Sequence, residues 1–272
     1  MKNILIFNDI SGLGNCSLAA NLPIFTKLSH YCMPVVTATF SCQTGFENYT
    51  FQKNHNLSQC VADVISHRAP QAVYVGFCVD ENLLEEVTCA VQQNRDKAFV
   101  FVDPVLGDNG KLYGIFNQNY VEKMKKLVSL AHCISPNLTE ACLLAEVDFE
   151  SLQAQSSEPT FLAICGKRFE NFLQVTGAKS AVITGVECGD FVGNIVLENG
   201  QPTRFVTNAR VPVNYSGTGD AFSSVLLGEL LNGCSLVHAT EVAANFVSKA
   251  AGATQCDDRR FGVEFSKVLE IL

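Results

Sequence analysis

Short apolar runs that each stop at small, polar or acidic residues, and are each followed by a helix-length amphipathic stretch, restrict this chain to few folds. The first run, residues 3–7, breaks at Asn8-Asp9-Ile10-Ser11-Gly12-Leu13-Gly14, the pattern of a buried strand feeding a glycine-bearing turn. Further strands are expected over 34–40, 72–77, 98–102, 133–135 and 181–184, with 41–54 as a long polar loop. Between them the spacing predicts helices over 16–28, 57–67, 81–93, 120–130 and 137–145. Pro23 should kink or break the first of these, and Asp80 should cap the third. Residues 158–175 are apolar at helical spacing. Residues 191–198 and 204–207 read as a hairpin turning at Asn199-Gly200, and 218–253 as mostly helix, with a short helix after it. Such alternation implies an α/β fold: a three-layer α/β/α sandwich with a mostly parallel central sheet.

No repeat, low-complexity tract or Pro/Ser-rich linker divides the 272 residues, so residues 1–272 are expected to form one domain. A net charge of −8 gives no global attraction to nucleic acid or anionic lipid, and the apolar start is too short for a signal peptide or membrane span. The twelve cysteines are spread evenly and never spaced Cys-x-x-Cys, which argues against zinc and redox pairs. They are expected to be reduced, mostly buried thiols in a cytoplasmic protein.

In open α/β sheets ligands bind beyond the carboxyl ends of the strands, so the residues there are the candidates. The sharpest signal is Gly217-Thr218-Gly219-Asp220, opening a long apolar helix. Two glycines let backbone N–H groups approach a phosphate, and the helix N-terminus adds partial positive charge. A carboxylate beside a phosphate suits a base that deprotonates a hydroxyl during phosphoryl transfer; it equally suits a simple helix-terminus charge. Asn137 and Glu140 fit a capping box, or a ligand role. Asp103 and Asp108 suit a hard cation such as Mg²⁺, or an ordinary turn. Asn8 and Asp9 suit a ligand or the cap of the first helix, Thr44-Gly45 a turn, and Phe77 core packing or a stacking face. Gly12-x-Gly14 lacks the third glycine of a dinucleotide fingerprint, and no P-loop or nucleophile elbow is present.

Taken in order along nearly the whole chain, these motifs resemble the ribokinase superfamily and, within it, the pyridoxal (vitamin B6) kinase family. They are Asn8–Gly14 with Cys16-Ser17-Leu18, Gln43-Thr44-Gly45, Asp103-Pro104-Val105-Leu106-Gly107-Asp108-Asn109-Gly110-Lys111-Leu112-Tyr113, Ser135-Pro136-Asn137-x-x-Glu140 and Gly217–Asp220. The resemblance implies ATP-dependent phosphorylation of the 5′-hydroxymethyl of pyridoxal, pyridoxine or pyridoxamine. It makes Asp220 the base, with the N–H groups of Gly217, Thr218 and Gly219 on the transferred phosphoryl group. Asp108 and Glu140 would place Mg²⁺, Asn137 would lie near the phosphates and Thr184 in the nucleotide site. Asn8, Asp9, Thr44 and Phe77 would surround the pyridine ring. Homodimers and a monovalent cation such as K⁺ belong to the same expectation.

Gln43 stands where many pyridoxal kinases have His, and Phe77 where many have Tyr, which bears on the vitamer and not on the reaction. The nearest rival is a hydroxymethylpyrimidine kinase of thiamine synthesis, on the same fold. That family usually reads Gly-Thr-Gly-Cys where this chain has Asp220. A non-catalytic B6-binding protein on this fold is the alternative of another class. The intact Asp220 and glycines weigh against it.

Overall fold

A computed structural model describes residues 1–272. Strands β1 (Asn3–Ser11), β2 (Tyr31–Phe40), β3 (Phe51–Lys53), β4 (Ala72–Val75), β5 (Phe99–Val102), β6 (Gly107–Asp108), β7 (Lys111–Leu112), β8 (Cys133–Ile134), β9 (Ser180–Cys188), β10 (Phe191–Glu198) and β11 (Arg204–Ala209) alternate with helices. The helices are α1 (Leu18–Lys27), α2 (Leu57–His67), α3 (Glu81–Asn94), α4 (Gln118–Val128), α5 (Leu138–Ala145), α6 (Phe149–Gln153), α7 (Phe161–Arg168), α8 (Phe172–Thr176), α9 (Thr218–Leu231) and α10 (Leu236–Ala253). Nine strands form one sheet in the order β11-β10-β9-β8-β5-β4-β1-β2-β3, parallel except at β3 and β10, and β6-β7 is a separate small hairpin.

Period-two side-chain alternation explains why both sheet faces are covered. Leu5 and Phe7 of β1, Val73 and Val75 of β4, and Val100 and Val102 of β5 pack into one apolar layer with α2, α3, α4 and α5. Ile4 and Ile6, Ala72 and Tyr74, and Phe101 point the other way, into the layer made with α1, α9 and α10. Strands that bury both faces read as continuous apolar runs, which is the pattern the sequence carries. The result is the expected α/β/α sandwich.

Several local expectations are corrected. Strand β1 runs on through Asn8, Asp9, Ile10 and Ser11, so Asn8 and Asp9 are strand residues and cap nothing; α1 follows Ser17 with no side-chain cap. Pro23 lies inside α1 and does not end it. The 41–54 loop contains the edge strand β3. Residues 158–175 divide into α7 and α8, with residues 169–171 between them. The two-residue hairpin turn is Gly189-Asp190, between the paired Cys188 and Phe191, whereas the last β10–β11 pair is Val196 with Arg204, too far apart for a two-residue turn at Asn199-Gly200. All twelve cysteines are free, but only Cys78, Cys133, Cys142 and Cys165 are fully buried.

Candidate active site

Chain order reverses at β1: β2 lies on one side of it and β4 on the other. A crevice opens at such a switch point beyond the carboxyl ends of the strands. Asn8 spans it. Its Oδ1 accepts the Phe77 N–H, just beyond β4, at 2.9 Å, and its Nδ2 donates to Asp220 Oδ1 at 3.2 Å and to Asn21 Oδ1 at 2.8 Å. A Cβ at Gly76 would lie 2.7 Å from the Asn8 amide, so glycine there leaves room for it. Asn21 in turn donates to Ser224 Oγ at 2.8 Å, and Ser224 donates to the Asp220 carbonyl at 2.7 Å. The polar chain from β1 through α1 to α9 is closed on itself, which fixes the Asp220 side chain relative to the sheet.

Asp220 lies in the first turn of α9, whose N-cap is Gly217 at φ 78° with no side-chain cap. The first intrahelical bond runs from Ala221 N to the Gly217 carbonyl, so the N–H groups of Thr218, Gly219 and Asp220 ahead of it have no helical partner. Asp220 therefore does not act as the cap. The two glycines differ. A Cβ on Gly217 would sit 1.9 Å from the Asn15 carbonyl oxygen, whereas one on Gly219 would meet nothing within 4 Å. Gly217 is required by the fold, and Gly219 faces open space at an unsatisfied helix N-terminus, the arrangement that receives an anion.

Four carboxylates converge behind this turn without a cation: none takes part in an ion pair. Asp9 is 5 % exposed and accepts from Ser11 Oγ at 3.2 Å; burial, with the Asp220 charge adding, pushes its pKa up to about 6. Asp103 accepts from Ser223 Oγ at 2.9 Å, and burial and the Asp220 charge raise its carboxyl. Burial, then the Asp103 charge, raises Glu140 well above the ordinary range. Burial also raises Asp220, offset in part by the Ser17 N–H and by Asn8. Cys16 lies against the same charges and, by burial first, is held as a thiol with its pKa near 12, so it is a poor nucleophile.

Both capping-box bonds of α5 are present: Glu140 N donates to Asn137 Oδ1 at 2.9 Å, and Asn137 N donates to Glu140 Oε2 at 2.8 Å. The other Glu140 oxygen accepts from Leu106 N at 3.1 Å, and Asn137 Nδ2 donates to the Gly107 carbonyl at 2.9 Å. Asn137 also bridges to Thr184, which bonds Pro136, so the β8 and β9 ends meet here. Asp108 stands apart on the exposed β6–β7 hairpin, where its oxygens accept from the N–H and amide of Asn109. Thr44 is exposed on the loop after β2. Phe77 is half-buried against Phe40 and Phe116, its ring centroid 5.9 and 5.8 Å from theirs, so it packs on the core.

The donor set suits a hard dication. No three His, Cys, Asp or Glu side chains are grouped as a cage. Mg²⁺ needs only one or two carboxylates when water and phosphate complete its shell, and uncompensated buried acids favour a cation. Asp103 and Glu140 are buried and repel each other, so they fit this role better than the solvent-facing Asp108.

Sequence reasoning missed Asn21, Ser223 and Ser224, and gave Tyr113 no role beyond its place in the motif. The first three are polar residues on otherwise apolar, buried helix faces, a signal readable as a break in the core pattern. Tyr113 follows the β6–β7 hairpin; it is 41 % exposed, and partial burial together with the charges of Glu140, Asp108, Asp103 and Asp220 raises its phenol.

The mostly parallel sheet between two helical layers, with the glycine turn that opens α9 at its crevice, belongs to the ribokinase-like class of small-molecule kinases. The fold agrees with solved structures: pyridoxal kinase from Lactobacillus plantarum aligns with a TM-score of 0.82 at 28% identity, over 100% of this chain and 96% of that one. A Bacteroides thetaiotaomicron protein classed with the phosphomethylpyrimidine kinases and solved with pyridoxal aligns with a TM-score of 0.89 at 27% identity, over 99% and 95%. The hydroxymethylpyrimidine/phosphomethylpyrimidine kinase of Bacillus subtilis is 26% identical over 259 residues, 93% of this chain and 90% of that protein. Residues 13–262 match the phosphomethylpyrimidine kinase family, and the chain belongs to it.

Proposed function

We propose that the chain transfers the terminal phosphoryl group of ATP to the 5′-hydroxymethyl group of a vitamin B6 vitamer, with Asp220 as the base. The observation that carries this reading is the place of Asp220, one residue beyond open Gly219 in the first turn of α9, its carboxylate held by Asn8. A carboxylate raised by burial is a better proton acceptor than an ordinary one, and it takes the hydroxyl proton as the oxygen attacks. The N–H groups of Gly217, Thr218 and Gly219 face the charge that develops on the phosphoryl oxygens. Asn137 and Thr184 line the nucleotide side, and Asn8, Asp9, Thr44 and Phe77 the acceptor side. Glu140, with Asp103 and Asp108, would hold Mg²⁺, which when bound neutralises phosphate charge. The reading includes one domain, a monovalent cation such as K⁺, a homodimer and a cytoplasmic setting; no helix is long and apolar enough to cross a membrane.

A second reading, phosphorylation of hydroxymethylpyrimidine, is favoured by the family match and by the Bacillus relative. Both acceptors are flat nitrogen heterocycles bearing a hydroxymethyl group, so one crevice geometry serves either. Purified protein given ATP and Mg²⁺ with pyridoxal, pyridoxine, pyridoxamine, hydroxymethylpyrimidine or ribose decides between them by ADP release. Turnover of at least one B6 vitamer is expected, and turnover of hydroxymethylpyrimidine alone overturns the B6 reading.

A further inference from the structure

The segment 41–50, between β2 and β3, is a closed loop of its own. Ser41 N donates to the Thr50 carbonyl at 2.9 Å and Thr50 N donates to Ser41 Oγ at 3.0 Å, which cinches its neck. A loop of this length joined at its ends and carried on two strands is a compact unit of the Ω type. Its tip reaches across to a C-terminal hook, residues 258–263. The Arg260 guanidinium lies 4.8 Å from the Phe46 ring centroid, and the Phe261 ring is 5.8 Å from the Phe46 ring. Asp258 fixes that guanidinium through bonds of 3.0 Å to Nε and 2.8 Å to Nη2, so its flat face is presented to the ring. Gln43, next to Thr44, adds a bond of 3.1 Å to the Arg260 carbonyl.

The same hook holds the Gly217 turn. Ser216 N donates to the Arg259 carbonyl at 3.2 Å, and Val263 N donates to the Ser216 carbonyl at 3.0 Å. Asn15 N donates to the Phe261 carbonyl at 2.9 Å, and it is the Asn15 carbonyl that crowds Gly217. One short segment therefore grips both the loop bearing Thr44 and the turn that ends at Asp220.

We propose that Arg260 and Phe46 form a latch that holds the 41–50 loop closed over the acceptor side, and that the hook positions this loop against the Gly217 turn. The proposal rests on the kinase reading above for its catalytic consequence. A closed loop confines the acceptor and keeps water from the phosphoryl group, so an open one weakens acceptor binding and lets ATP be hydrolysed without acceptor. Arg260 and Phe46 are positioning residues; neither touches the reacting atoms.

Arg260→Ala and Phe46→Leu remove the cation and the ring, and Phe46→Tyr keeps the ring. Amide hydrogen exchange of the free proteins reads the latch directly. Residues 43–48 should exchange faster in Arg260→Ala and Phe46→Leu than in wild type, and at the wild-type rate in Phe46→Tyr. In kinetics the first two variants should raise KM for the acceptor about three- to tenfold, the equivalent of one cation–π contact and its ring packing, with kcat held within about twofold. Their ADP release without acceptor should rise, and Phe46→Tyr should restore both values. Unchanged exchange at 43–48 in Arg260→Ala, or equally fast exchange in Phe46→Tyr and Phe46→Leu, overturns the latch. A fall in kcat with KM unchanged overturns its positioning role. If wild type turns over no acceptor, the kinase reading falls, and the exchange rates still decide whether the latch exists.

Discussion

Asn8 and Asp220, 212 positions apart in sequence, are joined by a 3.2 Å bond from the Asn8 amide to the Asp220 carboxylate. The bond couples the carboxyl-terminal half of the first strand to the start of the helix that carries the proposed base. Asn8 favours the ionised form of Asp220, and burial opposes it. The balance leaves Asp220 raised, so kcat should fall as pH drops through a midpoint above the ordinary carboxylate value. Asp220→Asn should abolish that limb and lower the chemical step by about 10² or more while ATP affinity stays within a few-fold. Asn8→Asp replaces a donor with a second negative charge, so it should move the limb to still higher pH. A pH–rate profile of the three proteins tests this; a limb that survives in Asp220→Asn assigns it to another group.

Gly217→Ala and Gly219→Ala should separate fold from function. At Gly217 the backbone is left-handed and a Cβ would strike the Asn15 carbonyl, so the variant should lose several kcal/mol, about the upper range for a strained backbone site, or fail to fold. At Gly219 the Cβ meets no protein atom and alanine favours a helix, so Tm should hold or rise, by the equivalent of up to about 1 kcal/mol. Its methyl group would stand where the phosphoryl group is proposed to lie, so turnover should drop. Full activity in Gly219→Ala would place the phosphates elsewhere.

Much of this arrangement can be read from residue pattern alone, and the exceptions have physical causes. Helix 57–67 and the capping box at Asn137 and Glu140 are local: their hydrogen bonds close within one turn, so spacing is enough to find them. The extension of β1 to Ser11 depends on pairing with β2, where Ile10 opposes Thr39, and polar Asn8 and Asp9 disguise it as a loop. Edge strand β3 is held by three pairs to β2 and leaves no apolar alternation to read. The link from Asn8 through Asn21 to Ser224 joins three elements that only the sheet order brings together. Asp108 belongs to a conspicuous Asp-Asn-Gly run but faces solvent, whereas Asp103, two places before Val105 in the same loop, is buried beside Ser223.

The buried Asp9 makes stability depend on pH. Its folded pKa, near 6, lies above the unfolded value of 3.8, so the folded state holds its proton more tightly. That contribution is fully present below the unfolded pKa and is lost as pH rises through 6. At pH 7.5 the ionised carboxylate then costs up to about 3 kcal/mol, the free-energy equivalent of that difference in pKa. Asp9→Asn should therefore raise Tm at pH 7.5 and leave it nearly unchanged at pH 4. Thermal melts at the two pH values check this, and an equal change at both would mean that packing, not charge, dominates.

Glu140→Gln tests whether the capping residue also serves the proposed metal. Glutamine has one acceptor oxygen where Glu140 uses two, so it can keep the capping-box bond from Asn137 N but sets its amide NH2 against Leu106 N; it also removes a charge that burial and Asp103 make unfavourable. The lost acceptor and the relieved charge act in opposite directions, so Tm should change by only a few degrees. Turnover should fall, and the Mg²⁺ concentration needed for half-maximal rate should rise about tenfold, the usual scale for losing one ligand charge or its support. Unaltered Mg²⁺ dependence would confine Glu140 to capping and leave Asp103 as the carboxylate of the metal site.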